Sequence, residues 1–195
     1  MMTMLEHLWL PIVLSAVAVW IASALGWMLI GHHHQDWSKL PDEERVITAI
    51  RSFNLPPGNY GFPHFGRKEC NTPEAKKKWE EGPVGLLNVW GKVNMGRNMV
   101  LTVIVCLIIS TVIAYLGAAA ELHKEQGFGK LFQVLGTAGV LGYTFATLPG
   151  DIWFQKYPRA ILMGVIDGVV FGLISGAIFA ALWPAATAAL QMPKL

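Results

Sequence analysis

Apolar residues of this chain are concentrated in four runs that contain almost no charge. A helix needs about 20 residues to cross the hydrocarbon core of a bilayer, and in lipid it must satisfy its own backbone hydrogen bonds. The sequence therefore predicts an all-α integral membrane protein whose four transmembrane helices form a bundle. The runs cover residues 8–31, 99–119, 131–148 and 160–183.

A polar insertion, residues 32–97, separates the first run from the second. An acidic first turn and apolar residues on one face predict a helix over residues 38–55. A second helix is predicted over residues 73–81, with Asn71 or Thr72 as its cap.

The rest of the insertion is less regular. Residues 59–66 are rich in glycine, proline and aromatic residues, which predicts a turn or a short extended segment. Residues 84–90 are apolar enough to lie on the bundle or in the headgroup layer. Since two short helices bury little core, we expect the insertion to pack on the membrane domain or on a partner protein.

Composition agrees with a membrane protein. Hydrophobic residues make up 53% of the 195 residues, charged residues only 14%, and the mean hydropathy is +0.44. A typical soluble domain carries about 25% charged residues. The formal net charge of +2, with no basic stripe, argues against a nucleic-acid partner and leaves the lipid bilayer as the expected environment.

Lysine and arginine are distributed unevenly between the two sides of the predicted bundle. Twelve of the fifteen lie in the insertion or in the loop that precedes the fourth run, and three lie on the opposite side. The positive-inside rule therefore places the insertion in the cytoplasm and both termini outside it.

The fourth run carries a small residue at every fourth position. Such a row follows one helix face and lets another helix approach backbone to backbone, as in a glycine zipper. We expect the row to contact a helix of the same chain, and an oligomer interface is the alternative. This glycine row consists of Gly164, Gly168, Gly172 and Gly176, flanked by Ala160 and Ala180.

Asp167 is the one formally charged side chain inside a predicted span. Ionisable groups at that depth are costly and often mark a proton or cation pathway. The favoured alternative is that Asp167 forms hydrogen bonds with hydroxyl groups of neighbouring helices, such as those of Ser110, Tyr115 or Tyr143. Asp167 would then stabilise the packing of the helices.

The histidines provide two further candidates. On a helix, His32, His33 and His34 point in different directions and cannot all bind one metal unless the chain unwinds, so a polar cap at the membrane interface is favoured over a metal site. On the opposite side of the membrane, His7, Glu121 and His123 are a candidate metal or haem site if the first two helices are neighbours.

Catalytic signatures are absent from the sequence. It contains no H-E-x-x-H pair, no G-x-S-x-G elbow, no P-loop and no G-x-G-x-x-G. Two cysteines do not make a disulfide framework, and both are expected to be free thiols. We therefore predict neither enzymatic activity nor a cofactor.

Four short segments carry a resemblance that extends over most of the chain. They are similar to a group of uncharacterised bacterial inner-membrane proteins with four helices, known only as hypothetical proteins. The resemblance implies a multi-pass protein of the bacterial cytoplasmic membrane and no activity, cofactor or functional residue. The segments are residues 39–43, 57–63, 81–85 and 148–153.

Three functions remain open on this evidence. The first is a non-catalytic structural or accessory subunit that docks, through its small-residue faces and its insertion, on a membrane protein partner or on a second copy. The second is a small proton- or cation-coupled transporter or channel that uses Asp167. The third is a metal- or haem-binding redox component.

Overall fold

The computed structural model describes residues 7–185. The prediction about the two chain termini therefore falls outside the described residues. The described part is mainly helical and divides into two compact units. One contains the residues up to Trp37 and from Gly96 onwards, and the other is Ser38–Met95.

Among the described residues, four helices are long and apolar enough to cross a membrane, as the sequence predicts. We call them spans 1 to 4. Their outward side chains are apolar and exposed, and an exposed apolar surface of this extent suits a lipid environment. The spans are Trp9–Ile30, Met95–Ala119, Phe128–Trp153 and Pro158–Leu182.

Span 3 is longer than the predicted run at residues 131–148. Its α-helix Phe128–Val140 is followed by a π-helical turn, Leu141–Phe145, and by a short helix, Leu148–Trp153. The expectation of a loop from residue 149 is wrong at this point, because Pro149 occupies the first turn of the short helix, where its missing N–H costs nothing.

The larger cluster of buried apolar residues lies at the end where span 1 begins, and a smaller one consists of Ala16, Val19 and Cys106 on spans 1 and 2. We call the larger one the distal cluster. It closes around Trp183, whose indole N–H donates to the carbonyl of Leu122 at 2.7 Å. No atom of this cluster is charged. Its buried residues are Leu8, Ile12, Ile113, Ala114, Leu122, Leu131, Leu135, Phe179, Ala180 and Trp183.

The second unit contains two helices and a strand pair. The predicted first helix is shorter than expected, Glu43–Ser52, because Asp42 and Asn54 on either side adopt positive φ angles that end helical geometry. The second helix is confirmed as Pro73–Glu81, with the Thr72 hydroxyl accepting the Ala75 N–H at 3.2 Å.

The strands explain the irregular part of the insertion. Strand β1, Gly58–Phe62, pairs antiparallel with β2, Gly85–Val89, so that Tyr60 faces Leu87. The extended segment was predicted at β1. The strand at residues 85–89 was not predicted, and its expected position on the bundle or in the headgroup layer stays a prediction.

Candidate functional site

Span 1 does not continue as an α-helix to its end. Its last turn, Gly26–Ile30, is π-helical, and Gly31 follows with a φ of 64° in the left-handed region. Glycine adopts this conformation without steric cost and commonly ends helices. A short 3₁₀ turn, His34–Asp36, completes the reversal. The chain is therefore unwound where the three histidines occur.

The unwinding turns His32 and His33 towards span 4, and His34 remains exposed. The Nε2 atom of His32 lies 2.9 Å from Oδ1 of Asp167, and the Nε2 atom of His33 lies 2.9 Å from Oδ2. The side chains of His32, His33 and Asp167 are only 21%, 6% and 17% exposed. Each carboxylate oxygen thus faces one imidazole nitrogen in a largely enclosed site.

This arrangement corrects two expectations from the sequence. Asp167 contacts imidazoles and not the hydroxyl groups of Ser110, Tyr115 or Tyr143. The histidine run is more than a polar cap, since two of its three rings converge on a single carboxylate. Both differences have one cause, which is that the residues after Gly31 leave the helix.

Two further charged residues, Asp36 and Arg159, hold His33 in place, and we call them the second layer. Its Nδ1 atom lies 2.7 Å from Oδ2 of Asp36. The Arg159 guanidinium, from the first turn of span 4, donates to Oδ1 of Asp36 and, at 2.9 Å, to the carbonyl oxygen of His32. The network therefore ties the segment after span 1 to span 4 through both side chains and backbone.

Contacts within this network shift the pKa values of His33 and Asp36. Burial alone would lower the pKa of His33, but its hydrogen bonds with Asp167 and Asp36 outweigh burial and raise that pKa above its ordinary value. The hydrogen bond from His33 and the neighbouring Arg159 hold the pKa of Asp36 below its ordinary value, against the opposing effect of burial. Charge is thus stabilised on both partners.

A cavity of about 490 Å³ opens beside the site. Trp27 forms one wall and stacks on the His33 ring at a centroid distance of 4.1 Å. Asp167 and His33 supply polar groups, and small residues of span 4 supply a surface with little side-chain bulk. The lining residues are Trp27, His33, Asp36, Trp37, Tyr143, Thr147, Lys156, Tyr157, Ala160, Gly164, Asp167, Gly168 and Phe171.

The glycine row has two different environments. A Cβ atom on Gly172 would lie 2.7 Å from Cα of Val140, and one on Gly176 would lie 2.5 Å from Cα of Gly136. A Cβ atom on Gly168 would lie 2.9 Å from the carbonyl oxygen of Tyr143 and 3.0 Å from Cα of Thr144, so three positions contact span 3 within the chain. Gly164 differs from the predicted packing role, because a Cβ atom there meets nothing within 4 Å and the residue lines the cavity.

Buried hydroxyl groups of three spans contact one another in the interior. Ser15 donates to Ser175 at 2.9 Å, and Ser110 donates to Ser15 at 3.3 Å, so that one chain of hydroxyls joins spans 1, 2 and 4. We call these residues the serine chain. Tyr143 of span 3 lies between the cavity and this chain.

The alternative metal or haem site on the other side of the membrane does not form in the described part of the chain. His7 and Glu121 are exposed, and Nδ1 of His123 lies 3.7 Å from a carboxylate oxygen of Glu125. Within residues 7–185, the three side chains whose potential ligand atoms converge are His32, His33 and Asp167, with all such atoms within 4.8 Å of one another. Cys70 and Cys106 are free thiols, as predicted.

Comparison with known proteins adds no family to this description. The chain matches no protein-family model, no curated protein and no solved structure with which it was compared.

Proposed function

We propose that this protein is a small cation transporter whose cation-binding group is Asp167. The observation that carries the proposal is the pairing of an intramembrane carboxylate with two imidazole nitrogens at 2.9 Å. Asp167 lies nine residues after Pro158, which is roughly 14 Å along the helix. A charged group at that depth is costly, and such residues typically line ion pathways.

Within residues 7–185, the cavity that reaches Asp167 opens at one end of the spans, which favours a carrier over a continuously open channel. The cavity reaches the carboxylate from the end where span 1 finishes. Beyond it the serine chain provides hydroxyl oxygens, which are suitable ligands for a dehydrated cation. The distal cluster then fills the opposite end with buried apolar side chains. Passage of a cation requires that cluster to open while the cavity closes.

The accessory role predicted from the glycine row is the competing proposal. Gly168, Gly172 and Gly176 contact span 3 of the same chain, so these positions are not available to a partner helix. The insertion remains as a docking surface for that role. An environment in the bacterial inner membrane, with the insertion in the cytoplasm, is part of our proposal and places the cavity on the cytoplasmic side.

Reconstituted protein tests the transporter directly. Purified full-length chain is placed in liposomes, and uptake of Na⁺, K⁺, Mn²⁺ and Zn²⁺ is followed with trapped indicator dyes. We expect uptake of at least one cation above that of empty liposomes and loss of most of it in Asp167→Asn. The matched control is Asp151→Asn, because Asp151 is an acid of span 3 that pairs with Lys156 at 3.1 Å and not with the histidines.

The two proposals predict different outcomes for the same variant. Uptake equal to that of empty liposomes for every cation would contradict the transporter. An accessory subunit with Asp167→Asn would still assemble with whatever protein copurifies with the wild type, because the carboxylate has no role in docking.

A further inference from the structure

We propose that the cation at this site is a divalent transition metal ion, bound by Nε2 of His32, Nε2 of His33 and the carboxylate of Asp167. The inference rests on the proposed function for its biological role, because it names the cation that the transporter carries. Binding itself is tested independently of transport.

The ligand atoms are already close to a metal-binding arrangement. All lie within 4.8 Å of one another, and each nitrogen is 2.9 Å from a carboxylate oxygen. A bound metal of the zinc type places nitrogen and oxygen ligands at about 2.0–2.2 Å. Two ligands on opposite sides of the ion are then about 4 Å apart. Small side-chain rotations are sufficient to admit the ion.

The second layer prepares His33 to act as a ligand. Its Nδ1 atom faces Asp36 at 2.7 Å, and an N–H there donates to that carboxylate. In the neutral ring this leaves a lone pair on Nε2, which points at a carboxylate oxygen of Asp167. These two atoms, 2.9 Å apart, can be bridged by the second ring proton of a charged imidazole or by a metal ion that replaces it, and a metal ion binds both lone pairs. Carboxylate–histidine–metal arrangements of this kind are common in metalloproteins.

The ligand types select the class of metal. Two imidazoles and one carboxylate suit zinc, iron, cobalt, nickel and manganese, whereas calcium and magnesium prefer oxygen ligands alone. Three protein ligands also leave a coordination position open towards the cavity. An open position permits exchange of the ion, in contrast to a closed structural zinc site.

A purely structural latch between the segment after span 1 and span 4 is the alternative explanation of the same contacts. A latch requires the hydrogen bonds but no ion. The test therefore detects the ion itself and compares variants of the proposed ligands with a variant of a neighbouring histidine that is not a ligand.

Metal binding is measured on the full-length protein in detergent after chelator treatment and removal of the chelator. We expect saturable binding of one Zn²⁺ per chain, and a visible absorption band when Co²⁺ replaces it. Replacement His33→Gln should weaken binding more than about 100-fold, and Asp36→Asn, which alters only the second layer, about 10–100-fold. The matched control His34→Gln removes the neighbouring exposed imidazole and should bind as the wild type does.

Several results would overturn the inference. These are absence of saturable Zn²⁺ binding by the wild type, an equal loss in His34→Gln, and competition by Mg²⁺ or Ca²⁺ at the same concentration as Zn²⁺. If His33→Gln does not fold, the order of affinities among the wild type, Asp36→Asn and His34→Gln decides the matter. Metal binding without transport contradicts the transporter and keeps the site, whereas Na⁺ or K⁺ transport without Zn²⁺ binding contradicts the site and keeps the transporter.

Discussion

A carboxylate among apolar helices is stabilised only when nearby groups compensate its charge. For Asp167 the compensation comes from outside its own helix, through His32 and His33, and Arg159 balances Asp36 in the second layer. Acidic and basic groups therefore alternate from Asp167 on span 4 through the segment after span 1 and back to Arg159 on span 4. Removing Asp167 leaves His32 without its carboxylate partner, whereas removing His33 leaves both acids with one remaining partner each, so Asp167 should be the more sensitive to substitution.

The serine chain provides a prediction about stability at the level of single atoms. Ser15 bonds to both Ser175 and Ser110, and all three residues are fully buried. Interhelical hydrogen bonds in membranes contribute on average less than 1 kcal/mol each. We therefore expect Ser15→Ala to lower the free energy of unfolding in detergent by about 1 kcal/mol. The control is Ser23→Ala, at a half-buried position on the same span, which should change the free energy of unfolding little. An equal loss of stability in the two variants would contradict the role of the serine chain.

Sequence reasoning found Asp167 but missed its partners for a physical reason. An intramembrane acid is visible in the sequence because it interrupts an apolar run. Its partners lie 134 and 135 residues away in the chain, and only the geometry after span 1 brings them together. Gly31 was the available signal, because a glycine directly after an apolar helix often ends it in the left-handed conformation.

At the scale of elements, two helices deviate from α-geometry next to the cavity. Span 1 ends in the π-helical turn Gly26–Ile30, and span 3 contains the turn Leu141–Phe145. These turns carry Trp27 and Tyr143, both of which line the cavity. Single π-helical turns are frequent at functional sites, because they redirect side chains that a regular helix would place elsewhere.

The glycine row makes a prediction that compares two of its own members. Alanine at position 172 has better helix propensity than glycine, but its Cβ atom would lie 2.7 Å from Cα of Val140. Because backbone cannot give way as a side chain does, we expect Gly172→Ala to reduce the free energy of unfolding by roughly 1–3 kcal/mol. Gly164→Ala meets open space and should leave it unchanged or slightly raised. Thermal unfolding in detergent measures both, and a similar loss in the two variants would show that contact with span 3 does not matter.

Long apolar elements were predictable from the sequence, and the strand pair was not. Length and hydropathy alone define a span, so all four lie where the runs are, with end shifts of a few residues. Strand β2 is a five-residue apolar segment whose conformation depends on β1, 27 positions earlier at the paired residues Tyr60 and Leu87. Periodicity within so short a segment does not distinguish a strand from a segment lying on a membrane surface.

For the whole molecule, the site and the distal cluster lie at opposite ends of the same four spans. One end is polar, contains a cavity and holds the paired histidines and acids. The other end is packed with apolar side chains around Trp183. The two ends of the spans therefore differ, so the orientation of the chain determines which compartment the cavity faces.

The native cysteines allow that orientation to be measured without engineering. Cys70 is exposed in the insertion, whereas Cys106 is buried in span 2. If the insertion is cytoplasmic, as the lysine and arginine distribution predicts, a membrane-impermeant maleimide should label Cys70 in inverted membrane vesicles and not in intact cells. Cys70→Ser is the control and should abolish labelling of the inverted vesicles. Labelling in intact cells would reverse the orientation and place the cavity outside the cytoplasm, because the insertion follows directly from the end of span 1 that carries His32 and His33.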